Sequence, residues 1–337
     1  MRLENVLALT HGKLINEPYV NNFTNIVFEA KAVKRGDLFI AFNEKEIEEA
    51  ILNGAYGIMF CKPTQINDFE IAWIKTDNLE DAVKRILRFI LIDKEIIAYE
   101  CSEIVLKLAL QVLTESNFVV LHGDIKKLYK SLYNIENSST ILFCPTLTTR
   151  DIFTKTLLLP KVGVPKIDII EQTLFETSFI HNNIFYERQL ISPFFIPFLE
   201  TLLHLLTRIN INYRLRKFTP IDHFEAVFTN KNFEIKEFGT SDKVLIFEKN
   251  SAYIEQEIEF LQKEATWAKT FYLIPQDYQV DEKVQETLQV TRYQQPDEII
   301  SILKQNSFHF ALIMGADKSI LHQPLINNSQ ATLFDFK

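Results

Sequence analysis

Glycine is scarce in this chain, with only 8 among 337 residues, against a usual share of about 7%. The shortage matters because loops that cradle phosphate are built from glycine, whose bare backbone turns tightly enough to aim its amides at an anion. No lysine follows a glycine that has a second glycine at the upstream spacing a phosphate-binding loop requires. Cysteine is equally thin: Cys61, Cys101 and Cys144 are odd in number, lie far apart and form no Cys-x-x-Cys pair. That pattern fits buried thiols of a reducing compartment rather than a disulfide framework or a zinc site. The N-terminal Met1-Arg2-Leu3-Glu4-Asn5 lacks the basic region and apolar core of a signal peptide, so a cytoplasmic location is expected. The run Leu190 to Leu206 falls short of the roughly 20 apolar residues of a membrane span. It also holds Pro193, Pro197, Glu200 and His204, and reads as a buried helix. A net charge of −8, from 36 basic and 44 acidic side chains, offers no general attraction to a polyphosphate, which argues against nucleic acid as a partner.

What is present is core-forming material. Hydrophobic residues make up 47% of the chain, with 28 phenylalanines, and the length predicts two or three domains. The stretch that organises the rest runs from Lys34 to Phe60. Leu38, Ile40 and Phe42 alternate as in a strand, Ile47, Ala50 and Ile51 recur at helical spacing, Gly54 supplies a stop, and Gly57 to Phe60 reads as a second strand. Around it, Val6 to Thr10 predicts a helix, Ile26 to Phe28 and Ile71 to Ile74 predict strands, and Asn78 caps a helix whose stripe runs from Leu79 to Ile90. The pattern restarts near Glu95 with strands at Ile96 to Tyr99, Phe118 to Leu121 and Thr140 to Phe143. Between them lie helices capped by Ser102 and started at Asp124. Ile167 to Ile170 is expected to resume the same sheet after a Pro- and Gly-bearing connection. From Lys243 a strand-helix alternation of the doubly wound type continues to Met314. The expected architecture is α/β with three modules: a small N-terminal domain over residues 1–93, a central, mostly parallel domain over 94–219, and a C-terminal Rossmann-like domain over 220–337.

The run Val33-Lys34-Arg35-Gly36-Asp37-Leu38-Phe39-Ile40-Ala41-Phe42, followed by Ala50-Ile51-Leu52-Asn53-Gly54-Ala55-Tyr56-Gly57-Ile58-Met59-Phe60, resembles the N-terminal domain of the Mur ligases of the MurE and MurF type. Those enzymes add amino acids or dipeptides to UDP-linked muramyl precursors of peptidoglycan. The resemblance implies a three-module ligase plan, and it also implies where each part of the machinery would stand. Glu29-Ala30-Lys31 occupies the place of an Asp-Ser-Arg triplet that holds the uridine nucleotide. Asn43 to Ile47 runs through where an Asp-Gly-His segment would be inserted. At the place of the ATP loop the chain has Tyr99-Glu100-Cys101-Ser102-Glu103, with two carboxylates and neither glycine nor lysine, a turn not competent to hold phosphate.

Glu176 and Ser178 match a stretch that serves magnesium in the family, with Phe179 at the histidine position and His181 two residues on; the plain alternative is a Glu at a strand end followed by a Ser turn. His223 stands where the family carries a nucleotide-binding arginine, or is an ordinary strand entry. Asn250 matches one residue of the last domain's asparagine motif and is most simply a helix cap. The resemblance therefore implies a ligase homologue without ATP-driven chemistry. No cofactor or metal is expected, and the partners are a small molecule or enzymes of peptidoglycan synthesis and cell shape. Two other readings stay open: a repurposed enzyme using Glu176, His181 and His223 in a cleft between the central and C-terminal domains, and an oligomeric interaction protein.

Overall fold

The computed structural model describes residues 1–62, 64–114, 117–279 and 290–322. Its contacts gather into two units, one formed by Met1–Val162 with Thr201–Arg214, the other by the described residues of Gly163–Glu200 and Leu215–Lys337. The described strands form four sheets, and the first two share one core, which is why they belong to a single unit.

In the first unit, strands β1 (Lys13–Leu14), β2 (Ile26–Val27), β3 (Leu38–Ile40), β4 (Gly57–Phe60) and β5 (Ala72–Lys75) form a sheet in the order β1-β5-β4-β3-β2, parallel except at β1. Side chains alternate across it. Leu38, Ile40, Met59 and Ile74 face the core shared with helices α1 (Leu3–Thr10) and α3 (Leu79–Leu91). Phe39, Ile58, Phe60 and Trp73 face a second cluster closed by Ile47 and Ala50 of α2 (Ile47–Leu52). Both faces are dry, as a parallel sheet requires. Asn78 caps α3 by accepting hydrogen bonds from the backbone N–H groups of Glu80 and Asp81.

The second sheet of this unit joins β6 (Ile97–Glu100), β7 (Phe118–Leu121), β8 (Thr140–Phe143) and β9 (Leu157–Leu158) in the parallel order β7-β8-β6-β9. Helix α4 (Glu103–Val112) follows β6 and α5 (Ile125–Tyr133) follows β7. Ile125, Leu128 and Leu132 of α5 fall at helical spacing into the core they share with α3. The connection that precedes Ile167 is not all loop, since Leu157 and Leu158 pair with β6.

The second unit corrects the expectation that Ile167 to Ile170 resumes the central sheet. Strands β10 (Asp168–Gln172), β11 (Thr177–His181) and β12 (Ile184–Gln189) form their own antiparallel sheet. The reversal between β11 and β12 is made by Asn182 and Asn183, both at positive φ (49° and 61°), the left-handed pair that suits a two-residue hairpin and that asparagine tolerates. Helix α6 (Ile196–Arg208) then carries the apolar run noted in the sequence. Among the described residues no helix is long and apolar enough to cross a membrane.

The last sheet has the order β13-β14-β17-β15-β16, with β13 (Glu225–Thr229), β14 (Lys243–Glu248), β15 (Thr270–Pro275), β16 (Val290–Tyr293) and β17 (Phe310–Met314). It is parallel except for the edge strand β13. Helices α7 (Ile254–Glu264) and α8 (Ile299–Gln305) cross between its strands. Asn250 caps the turn that leads into α7, accepting from the N–H of Ala252.

Candidate functional site

The turn Tyr99–Glu103 lies at the carboxyl end of β6, the end of a parallel sheet at which ligands bind in this fold class. Its side chains are engaged locally. Ser102 caps α4, accepting from the N–H of Val105. Glu103 pairs with Lys107 one turn on at 2.8 Å, and the Glu100 carboxylate accepts the hydroxyl of Thr156. Cys101 is buried, its Sγ 3.5 Å from the carbonyl of Phe143. Burial, with a smaller contribution from Cys144, pushes its thiol well above the ordinary range, so it is a poor nucleophile. Both acids of the turn are thus paired with neighbouring side chains.

The three residues singled out as catalytic candidates all fall in the second unit, and each has a different partner. Glu176 pairs with Arg188 at 3.1 Å and lines a shallow polar depression of about 180 Å³ with Glu171, Thr173 and Ser178. His181 lies outside that lining; it is buried, and its Nδ1 sits 2.8 Å from the carbonyl oxygen of Lys166. The same segment is gripped by Glu200, whose buried carboxylate accepts the N–H groups of Lys166 and Ile167. Among the described residues no group of three His, Cys, Asp or Glu side chains is placed to hold a metal ion.

His223 has the most elaborate surroundings. Its Nδ1 lies 3.0 and 3.1 Å from the two oxygens of Glu248, at the end of β14. Glu248 also accepts the N–H groups of Phe224 at 3.1 Å and Asn250 at 2.6 Å. Glu257, on α7, is as buried as Glu248. Burial first and the adjacent Glu248 second push the Glu257 carboxyl well above the usual range, so it keeps its proton. Burial alone would raise Glu248 too, but the hydrogen bonds from His223 and Glu257, the charge of His223 and the Asn250 amide outweigh it and bring it down. With Glu257 protonated, its O–H donates to Glu248. The sequence pointed to His223, but not to Glu248 or Glu257. The one local signal was an acid closing the apolar run Val244 to Phe247.

A cavity roomier than the Glu176 depression lies in the first unit. Ile26, Val27, Phe28, Glu29 and Ala32 face Tyr129, Lys130, Tyr133 and Asn134 of the α5 region across about 260 Å³. Phe28 meets the ring of Tyr129 edge-on at 5.1 Å, and Tyr133 stacks on Tyr129 at 5.3 Å. At the rim, Glu29 and Lys130 form an exposed ion pair at 3.0 Å. Glu29 is the first residue of the segment set against the uridine-holding triplet, so the sequence located one wall of this cavity. The opposite wall comes from residues about a hundred positions later.

No protein-family profile and no curated protein matches the sequence. Solved structures do match. One crystal structure of MurF from Acinetobacter baumannii superimposes with a TM-score of 0.52 over 95% of this chain and 98% of that chain, at 10% identity. The chain has a Mur ligase-like fold. A second crystal structure of the same MurF gives a TM-score of 0.49 at 9% identity, over 95% of this chain and 98% of that chain. MurF ligase from Thermotoga maritima, solved in complex with ADP, gives 0.47 at 11% identity over 88% and 94%.

Proposed function

We propose that this chain is a Mur ligase-like protein that does not carry out ATP-driven amide synthesis and works by binding, within the chemistry of peptidoglycan precursors. The observation that carries this reading is the turn Tyr99–Glu103. It occupies the strand-to-helix position of a nucleotide loop, yet it offers Glu100 and Glu103 in place of glycine amides and a lysine. An anion brought to that turn meets two carboxylates, which repel it. The link to peptidoglycan precursors rests on the Lys34 to Phe60 signature together with the fold shared with MurF. The dispersed partners of Glu176, His181 and His223 support binding over a relocated active centre. Enzymes of peptidoglycan synthesis are proposed as protein partners beside a small-molecule ligand, on the same signature and fold likeness.

The test is to incubate the full chain with Mg-ATP, a UDP-muramyl peptide precursor and an amino acid or dipeptide. Amide formation and thermal unfolding are followed in parallel. The expected result is no ATP-dependent amide product and a melting temperature raised by the precursor but not by Mg-ATP, since a ligand that binds only the folded state stabilises it by about 2.7 kcal/mol at a hundred times its Kd. ATP-dependent product would refute the reading.

A further inference from the structure

We infer that Cys101 and Cys144 are a redox-active pair, which a peroxide converts to a disulfide that locks the turn of residues 99–103 to the end of β8. This goes beyond the proposed function and is independent of what the chain binds.

The pairing of β6 with β8 brings the two cysteines together. Their parallel register runs as far as Glu100 opposite Phe143. It continues one step further, because the N–H of Cys101 donates to the carbonyl oxygen of Phe143 at 2.9 Å, the bond that sets Cys101 opposite Cys144. Neighbouring strands lie about 4.7–4.9 Å apart, and a disulfide joins residues whose Cα atoms are about 4.4–6.8 Å apart. The thiol of Cys101 also leans toward β8. Its Sγ lies 3.5 Å from the carbonyl oxygen of Phe143, the residue bonded to Cys144. Closing the bond draws the two Cβ atoms to about 3.8 Å. The end of β8 is free to give that much, since the next residue, Pro145, has no N–H with which to continue the ladder.

Exposure divides the roles. Both thiols are free, Cys101 buried and Cys144 half-buried, so Cys144 is the one a dissolved oxidant reaches. With hydrogen peroxide, the Cys144 sulfur attacks one oxygen and the O–O bond breaks. Cys144 becomes a sulfenic acid, and its thiol proton leaves with the other oxygen as water. Cys101 then attacks the Cys144 sulfur; the S–S bond forms, the S–O bond breaks, and the departing hydroxide takes the Cys101 proton as a second water. Two thiols lose two electrons and one peroxide gains them. Cys101 is a poor nucleophile toward a reagent in solution, but a sulfur held beside it is presented at high effective concentration. Burial raises the Cys144 thiol as well, which makes the first step slower than at a cysteine kept as thiolate. Within a reducing compartment such a bond is transient and redox-sensing rather than structural.

The experiment treats the full chain with hydrogen peroxide over a time course, alkylates it with iodoacetamide in denaturant and digests it with trypsin without reduction. The tryptic peptide of residues 95–107 is expected joined to that of residues 131–150, two hydrogens lighter than their sum and separated by dithiothreitol, with Cys61 alkylated in its own peptide. Amide exchange at residues 101–103 is expected to slow on oxidation and to recover on reduction. In Cys101→Ser the sulfenic acid of Cys144 is expected to persist and to be captured by dimedone, and in Cys144→Ser the thiol of Cys101 is expected to survive the same treatment. The inference is overturned if the wild-type chain yields no linked pair, if Cys61 rather than Cys144 is bonded to Cys101, if Cys101 oxidises as readily in Cys144→Ser, or if the link leaves exchange at residues 101–103 unchanged.

Discussion

His223 and Glu248, 25 residues apart in sequence, meet through Nδ1 and both carboxylate oxygens at 3.0 and 3.1 Å, with almost no solvent exposure on either side. The same carboxylate holds the N–H of Phe224, a non-glycine residue at φ 44°. A phenylalanine reaches the left-handed region only when its surroundings over-determine it. Glu248 is thus the post to which the entry of β13 is tied.

Replacing that post exposes its worth. Glu248→Ala removes the acceptor shared by the imidazole and two backbone N–H groups, and breaking a buried pair from one side costs about 3–5 kcal/mol. The urea midpoint of unfolding is expected to fall accordingly. A loss below about 1 kcal/mol would mean that the turn is held by packing alone.

The neighbouring acid responds to pH in the opposite sense to a salt-bridged carboxylate. Because the folded-state pKa of Glu257 lies above its unfolded value, the folded chain keeps a proton that the unfolded chain has already lost. The stability this contributes is full below the unfolded pKa and disappears as pH rises through the folded one, at about 1.4 kcal/mol per unit of separation. Glu257→Gln is uncharged at every pH and still donates to Glu248. Its melting temperature is expected to match or exceed wild type at neutral pH and to fall less between mildly acidic and alkaline buffer; parallel curves would contradict the assignment.

Glu200 offers a third check. Its carboxylate is the acceptor for the backbone of Lys166 at 2.8 Å and for that of Ile167. Glu200→Ala orphans two N–H groups, each worth about 1–3 kcal/mol when buried. Denaturation should show a loss of about 2–5 kcal/mol, and amide exchange at Lys166 and Ile167 should accelerate. Unchanged exchange at those two amides would show that another acceptor serves them.

Gly57, at the start of β4, shows how tightly the organising stretch is packed. A Cβ there would lie 2.5 and 2.9 Å from ring carbons of Phe23 and 3.0 Å from a methyl of Leu38. Gly57→Ala is therefore expected to destabilise the first unit by about 1–3 kcal/mol through overpacking, read as a lower melting temperature. A neutral result would mean that Phe23 has room to move.

What the sequence determined by itself was local. Capping by Asn78, Ser102, Asp124 and Asn250 is chemistry within three residues, and each appears as read. The apolar stripe of α3 and the alternation in Leu38 to Phe42 were legible for the same reason, since period follows directly from helix and strand geometry. Tertiary structure decided which strands pair and which distant side chains meet. The run Ile167 to Ile170 is equally apolar for a parallel or an antiparallel neighbour; the turn in which the Thr173 hydroxyl accepts the N–H groups of Phe175 and Glu176 reverses the chain and makes β11 its antiparallel partner. The first unit's cavity joins Phe28 to Tyr129, 101 positions later, and the second unit's buried cluster joins His223, Glu248 and Glu257. Such pairings follow from how sheets and helices stack to exclude water, a property of the whole chain that no single window of sequence contains.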